Sequence, residues 1–140
     1  MIKETMTYLD CNDNERTEAF FFNLSKAEVI EMEYSTSGGL AEQIQKIMET
    51  QDTPSIIKIF KDIILRSYGE KSPDGRRFIK SEELSRSFSE TEAYSQLFMR
   101  MLNDAEFAAK FINGILPAEA VKELKLADNK AETGVLRSAT

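Results

Sequence analysis

One stretch, Ser89–Pro117 (SETEAYSQLFMRMLNDAEFAAKFINGILP), constrains the fold more than any other. It reads as two short helices in series, each with its own start signal. Ser89 followed by Glu92 has the capping-box spacing, in which each side chain satisfies an orphan backbone donor. Asp104 is a good N-cap for the second helix. Gly114 is placed to stop it, with Pro117 just beyond. Tyr94, Leu97, Phe98, Met101 and Leu102 line up at helical spacing, and so do Phe107, Ala108, Phe111, Ile112 and Ile115. So much apolar surface on two short helices must be the main core, a surface for a partner, or both.

The remaining chain has to cover that surface. Residues 2–24 read as a β-hairpin: Thr5, Thr7, Tyr8 and Leu9 favour one strand, Thr17 and Phe20–Phe22 the other. Asp10-Cys11-Asn12-Asp13-Asn14 tolerates turn geometry between them. Alternation puts Phe20, Phe22 and Leu24 on one face, and Ile2, Met6 and Tyr8 together on the first strand. An isolated hairpin is marginal in water, so this one must cover the helices or pair with another chain. Its apolar edge leaves a homo-oligomer open.

At Ser25 the periodicity changes. Ser25 with Glu28 is another capping box, opening a short helix that Gly38-Gly39 breaks. Leu40, Ile44, Ile47, Met48 and Gln51 form the stripe of a second helix. Thr53-Pro54 starts a third, with Ile56, Ile57, Phe60, Ile63 and Ile64 inward and Gly69 placed as its C-terminal cap. Residues 69–80, GEKSPDGRRFIK, form a hairpin-like loop around the Ser-Pro-Asp-Gly turn signal. Ser81 caps a short helix through Leu84 and Phe88, and residues 118–126 form a last one. The expected fold is α+β and mostly α-helical, an N-terminal β-hairpin followed by about five to six short helices. Residues 1–126 form one domain, with the hairpin at 1–24 and the helical part at 25–126. Residues 127–140 have no aromatic and no period and read as a flexible tail.

Composition narrows the chemistry. The 140 residues contain no His, which removes the commonest general base and metal ligand. One cysteine, Cys11, cannot form an internal disulfide and has no cluster of positive charge to activate it. No apolar run approaches the roughly 18 residues of a membrane span, and the N-terminus has no signal-peptide core. The chain therefore reads as cytoplasmic. A net charge of −6 argues against general nucleic-acid binding. The charge is uneven: residues 1–52 carry −7, residues 53–80 carry +4 and residues 81–140 carry −3. The acidic and basic parts can attract within one chain or between chains, or simply be solvated faces.

Individual motifs add little catalysis. Gly38-Gly39 before a helix lacks the rest of a phosphate loop. Asp10, Asn12, Asp13 and Asn14 lack the central glycine and closing glutamate of a calcium loop, and a turn is the plainer reading. Glu82/Glu83 and Glu90/Glu92 sit at helix starts, where the helix dipole explains them. The basic loop Lys71, Arg76, Arg77, Lys80 is the best polar feature, and only Phe78 is aromatic there, so base stacking is poorly supported. Neither an enzyme nor a cofactor or metal site is expected. A small acidic adaptor or assembly factor is.

The strings ERTEAFFFNLSKAEVIEME, GGLAEQI, IIKIFKDIILRSYGEKSPDGRRFIKS and FSETEAYSQLFMRMLNDAEFAAKFINGILP, in this order, resemble the tail assembly chaperones of siphovirus-type (long-tailed) bacteriophages of Gram-positive hosts. The resemblance runs from about Tyr8 to Pro117 and carries no catalytic signature. It implies a protein made in the host cytoplasm during infection and absent from the mature virion. It implies binding to the tape measure protein, keeping that client soluble, and helping to recruit tail tube subunits. It also implies a longer frameshifted product, of which this chain would be the short form. The candidate protein-binding residues are Tyr94, Phe98, Met101, Phe107, Phe111 and Ile112 as a client-facing stripe, with Arg76, Arg77 and Phe78 toward neighbouring chains or the client. A structural minor tail component or another small protein-binding adaptor is the alternative; no nucleic acid or membrane partner is expected.

Overall fold

In the computed structural model, residues 1–35, Gln45, Glu49 and residues 53–118 are described. Strands β1 (Ile2–Leu9) and β2 (Glu15–Phe22) are followed by helices α1 (Lys26–Ser35) and α2 (Thr53–Ser67). Strands β3 (Tyr68–Lys71) and β4 (Phe78–Ile79) come next, then α3 (Glu82–Ser89), α4 (Glu92–Asn103) and α5 (Ala105–Ile115). The strands form one antiparallel sheet in the order β1-β2-β3-β4. The fold is α+β and mostly helical, as the periodicity implied. The stripe at Leu40–Gln51, the helix past Ala118 and the tail at 127–140 lie outside the described residues.

The hairpin forms as the alternation predicts. Ile2 pairs with Phe22 and Leu9 with Glu15 in an unbroken register. At the turn, Asp10 Oδ1 accepts from the backbone N–H groups of Asn12 and Asn14, at 2.8 and 3.0 Å. Asp13 takes a left-handed φ of 61°, which an Asp tolerates better than most residues. Tyr8, Phe20 and Phe22 are buried on the inner face, and Thr5, Thr7 and Ala19 are exposed on the outer.

The inner face is filled by the helices. Phe22, fully buried, touches Tyr68, Phe88 and Phe111 at ring separations of 5.7, 5.7 and 5.1 Å. Tyr68 stacks on Phe88 at 4.3 Å. Ser67 is also fully buried, and its hydroxyl is satisfied by the Ile63 and Ile64 carbonyls. Two backbone bonds close the layer: Asn23 N–H to the Ser67 carbonyl and Leu24 N–H to the Ile115 carbonyl, both 2.8 Å. Lys80 Nζ donates to the Asn23 carbonyl and to Glu28, fastening the end of β4 to the β2–α1 connection. The Ser25/Glu28 capping box is present as expected.

Four expectations are corrected. The loop at 69–80 opens and closes with strands, because Phe21 and Phe22 offer the free side of β2 to Gly69 and Tyr68. Gly69 is therefore a strand residue, not a helix cap. A Cβ there would lie 2.6 Å from the Phe78 ring and 2.8 Å from the Ile79 carbonyl oxygen. Gly69→Ala is accordingly expected to cost about 1–3 kcal/mol by forcing β3 and β4 apart, read as a lower denaturant midpoint. Second, α4 starts at Thr91, whose hydroxyl accepts from Tyr94 N–H. Ser89 instead ends α3, donating to the Arg86 carbonyl, because α3 must extend far enough to bury Phe88. Third, α5 runs through Gly114 to Ile115. The glycine is where the helix lies directly against Ile2 of β1. Fourth, Ile57 is exposed and Ile59 is buried in its place, since the inward stripe of α2 follows Ile59, Phe60, Ile63, Ile64 and Ser67.

Candidate functional site

Helix α4 presents the main apolar feature. Its deep side, Ala93, Leu97 and Met101, is closed into the core. One position round, Tyr94, Phe98 and Leu102 recur every four residues and are half-buried. Met99, beside Phe98 on the helix surface, is 48% exposed. A row of rings leads from the core to this stripe: Phe22 to Phe88, Phe88 edge-on to Tyr94 at 5.8 Å, and Tyr94 to Phe98 at 6.0 Å. The stripe thus stands on a rigid base. Burial and the nearby charge of Asp62 push the Tyr94 hydroxyl above its ordinary pKa of 10.0, so it is a neutral donor at physiological pH.

Asp104 fixes the next helix. Its N–H donates to the Arg100 carbonyl, ending α4, and its carboxylate accepts from Phe107 N–H at 3.0 Å, starting α5. That places Phe107, Phe111 and Ile112 inward, where each is buried. The Arg100 guanidinium covers the Phe107 ring at 3.8 Å. Of the stripe read from the sequence, then, Tyr94 and Phe98 reach the surface, while Met101, Phe107, Phe111 and Ile112 lie in the core beneath. Met99 was missed because it is off the inward period; a Met three residues before Leu102 of the stripe is the signal that finds it.

The second feature is the β3–β4 turn. Ser72 N–H bonds to the Arg77 carbonyl and Gly75 N–H to the Ser72 carbonyl, both 2.9 Å. Gly75 has a φ of 73°, a conformation that suits glycine. Asp74 accepts from the Ser72 hydroxyl and from Arg76 N–H, and Ser72 Oγ accepts from Arg77 N–H. These bonds hold the backbone of Arg76 and Arg77 while both side chains are exposed. Phe78 is half-buried with the Lys80 ammonium 5.7 Å over its ring. Helix α3 packs against both β3 and α4, and so lies between this turn's sheet and the aromatic stripe. A cleft of about 550 Å³ opens between α2 and α3, lined by Lys61, Asp62, Arg66, Ser85 and Arg86 among others. Its charges are mixed, and nothing in it is arranged for acid–base work.

Titration follows the same bonds. The Arg16 guanidinium and the Asn14 and Asn12 amides hold the Asp10 carboxyl below its ordinary 3.8. The Ser72 hydroxyl and Arg76 amide do the same for Asp74. A carboxyl whose folded pKa is depressed stabilises fully above its unfolded value and loses that contribution as pH falls through the folded value. Thermal stability is therefore expected to be level near neutrality and to drop as pH falls below 3.8. The melting temperatures of wild type and Asp10→Asn, compared across pH, should converge in that range.

Among the described residues no group of His, Cys, Asp and Glu is placed to hold a metal ion, and no helix is long and apolar enough to cross a membrane. What the surface offers is a rigid aromatic stripe and an ordered basic turn. A family model described as phage tail assembly chaperone matches residues 1–139. The chain belongs to that family. No curated protein and no solved structure matches it. For a chaperone, apolar side chains displayed on a well-packed base are the expected working parts, since contact with a client needs offered surface and not reactive groups.

Proposed function

We propose that this chaperone binds the tape measure protein, keeps its apolar segments from aggregating, and helps to recruit tail tube subunits around it. The observation that carries the proposal is the half-buried stripe Tyr94, Phe98 and Leu102, with exposed Met99 beside it, on a helix whose other side is locked into the core. An apolar client helix docks on such a stripe through residues at matching spacing, and Met adapts to imperfect partners. Arg76 and Arg77, on their ordered turn, supply a second contact to the client or to neighbouring copies. Many copies on one extended client gain strength from avidity without tight individual binding. The role is non-enzymatic and is carried out in the host cytoplasm; the chaperone leaves before the virion matures. The longer frameshifted form would share this surface and add its own contacts to the tube protein.

Co-expression tests this. With the chaperone, the tape measure protein should stay in the supernatant and co-purify with it; without, it should sediment. Equal sedimentation in both cases contradicts the proposal. Mass spectrometry of purified particles separates it from the alternative, because a minor structural tail component would be found in them.

A further inference from the structure

The outer edge of β1 is the feature the client-binding reading leaves unused. The ladder between β1 and β2 fixes which backbone groups face it. Asp10 N–H donates to the Asn14 carbonyl at 2.9 Å, and hydrogen-bonded pairs alternate from there. Ile2↔Phe22, Glu4↔Phe20, Met6↔Glu18 and Tyr8↔Arg16 are then the bonded pairs. Two observations agree. The hydroxyls of Thr7 and Thr17 meet at 2.9 Å, as side chains do across a non-bonded pair. On the far side of β2, Asn23 N–H bonds to Ser67, so the odd residues of β2 face β3. The N–H and C=O groups of Lys3, Thr5, Thr7 and Leu9 therefore point outward, and among the described residues no strand pairs with them.

Edges of this length are ordinarily blunted by proline, a bulge, a central lysine or an inward-pointing charge. In β1 the register is unbroken, there is no proline, and the one lysine sits near the strand's start. The one charge on its core face, Glu4, lies 3.8 Å from the Arg100 guanidinium, which offsets it. The core-facing Ile2 and Met6 are only partly buried, as residues of a strand lacking its neighbour are.

We propose that β1 pairs antiparallel with β1 of a second copy about a two-fold axis, joining two sheets into one. The axis must keep inner faces on the same side, which allows only residues of like parity to oppose one another. The register with Met6 opposite Met6 satisfies every outward backbone group: Lys3 faces Leu9 of the second copy, Glu4 faces Tyr8, and Thr5 faces Thr7. No like charges are opposed, Thr–Thr pairs are favourable across strands, and the half-exposed Met6 side chains cover each other. Helices α4 and α5, which pack on β1, come side by side on one face of the joined sheet. The inference does not rest on the identity of the client.

Sedimentation of the full chain tests it, with variants chosen to spare the fold. Wild type should have about twice the 15.9 kDa chain mass. Thr5→Pro removes only an outward N–H and should give a folded monomer. Thr5→Lys with Thr7→Lys opposes like charges twice and should weaken association by roughly tenfold. Thr5→Lys with Thr7→Glu opposes unlike charges in the same register and should restore it. In a Cys11→Ser background, Met6→Cys should form an interchain disulfide under mild oxidation. A monomeric wild type at ~100 µM, an edge that pairs only when client is added, or equal association by the Lys/Lys and Lys/Glu chains would overturn the proposal.

Discussion

Phe22→Ala is expected to lower the free energy of unfolding by about 3–5 kcal/mol, the range for a large aromatic removed from a closed core. Phe22 is fully buried and its ring contacts come from three different elements: Tyr68 of β3, Phe88 of α3 and Phe111 of α5. These neighbours cannot collapse into the vacancy together. Tyr68 and Phe88 are stacked on each other, and Phe111 is held by the cap that Asp104 provides to α5. Domains of this kind have only about 5–15 kcal/mol in hand, so the variant should lie near the edge of folding. A urea titration reads it as a large drop in midpoint at an unchanged slope. Phe21→Ala, one residue away on the outer face, should cost far less, because its ring is half-exposed under the Lys71 ammonium.

Phe111→Asp should abolish the fold outright. The side chain is 1% exposed. A carboxylate there loses the packing, about the 3–5 kcal/mol of Phe22→Ala, and adds several kcal/mol for a buried charge without a partner, together enough to exceed the stability of an ordinary domain. Far-UV circular dichroism at 25 °C should show an unfolded chain, and any loss of client binding by it would be uninformative. Phe98→Asp differs although the residue type and helical spacing are alike. Phe98 is half-exposed, so the new carboxylate can reach water and the spectrum should remain that of wild type.

That contrast marks what the sequence could and could not reveal. Hairpin alternation was legible because Phe20 and Phe22 leave one answer for which side faces the core. The caps at Ser25, Ser81 and Asp104 were legible because short polar side chains announce helix starts. Gly69 misled: a glycine after a helical run is ordinarily a cap, and only the distant Phe21 makes it a strand residue. Ser89 misled for a similar reason. It and Thr91 are both competent caps, and the choice is made by where Phe88 has to go. On α4 and α5, periodicity identified one apolar band, but it does not report depth. Whether Met101 or Phe98 is at the surface depends on β1 and α2, which pack from elsewhere in the chain.

The central claim is that the chaperone holds its client through the outer stripe of α4. The direct measurement is the affinity of purified, folded Phe98→Asp for the tape measure protein, beside wild type and beside the exposed control Gln96→Asp. Desolvating a carboxylate in place of a ring should weaken binding by at least about tenfold for Phe98→Asp, while Gln96→Asp binds as wild type does. Wild-type affinity in a folded Phe98→Asp chain would contradict the account.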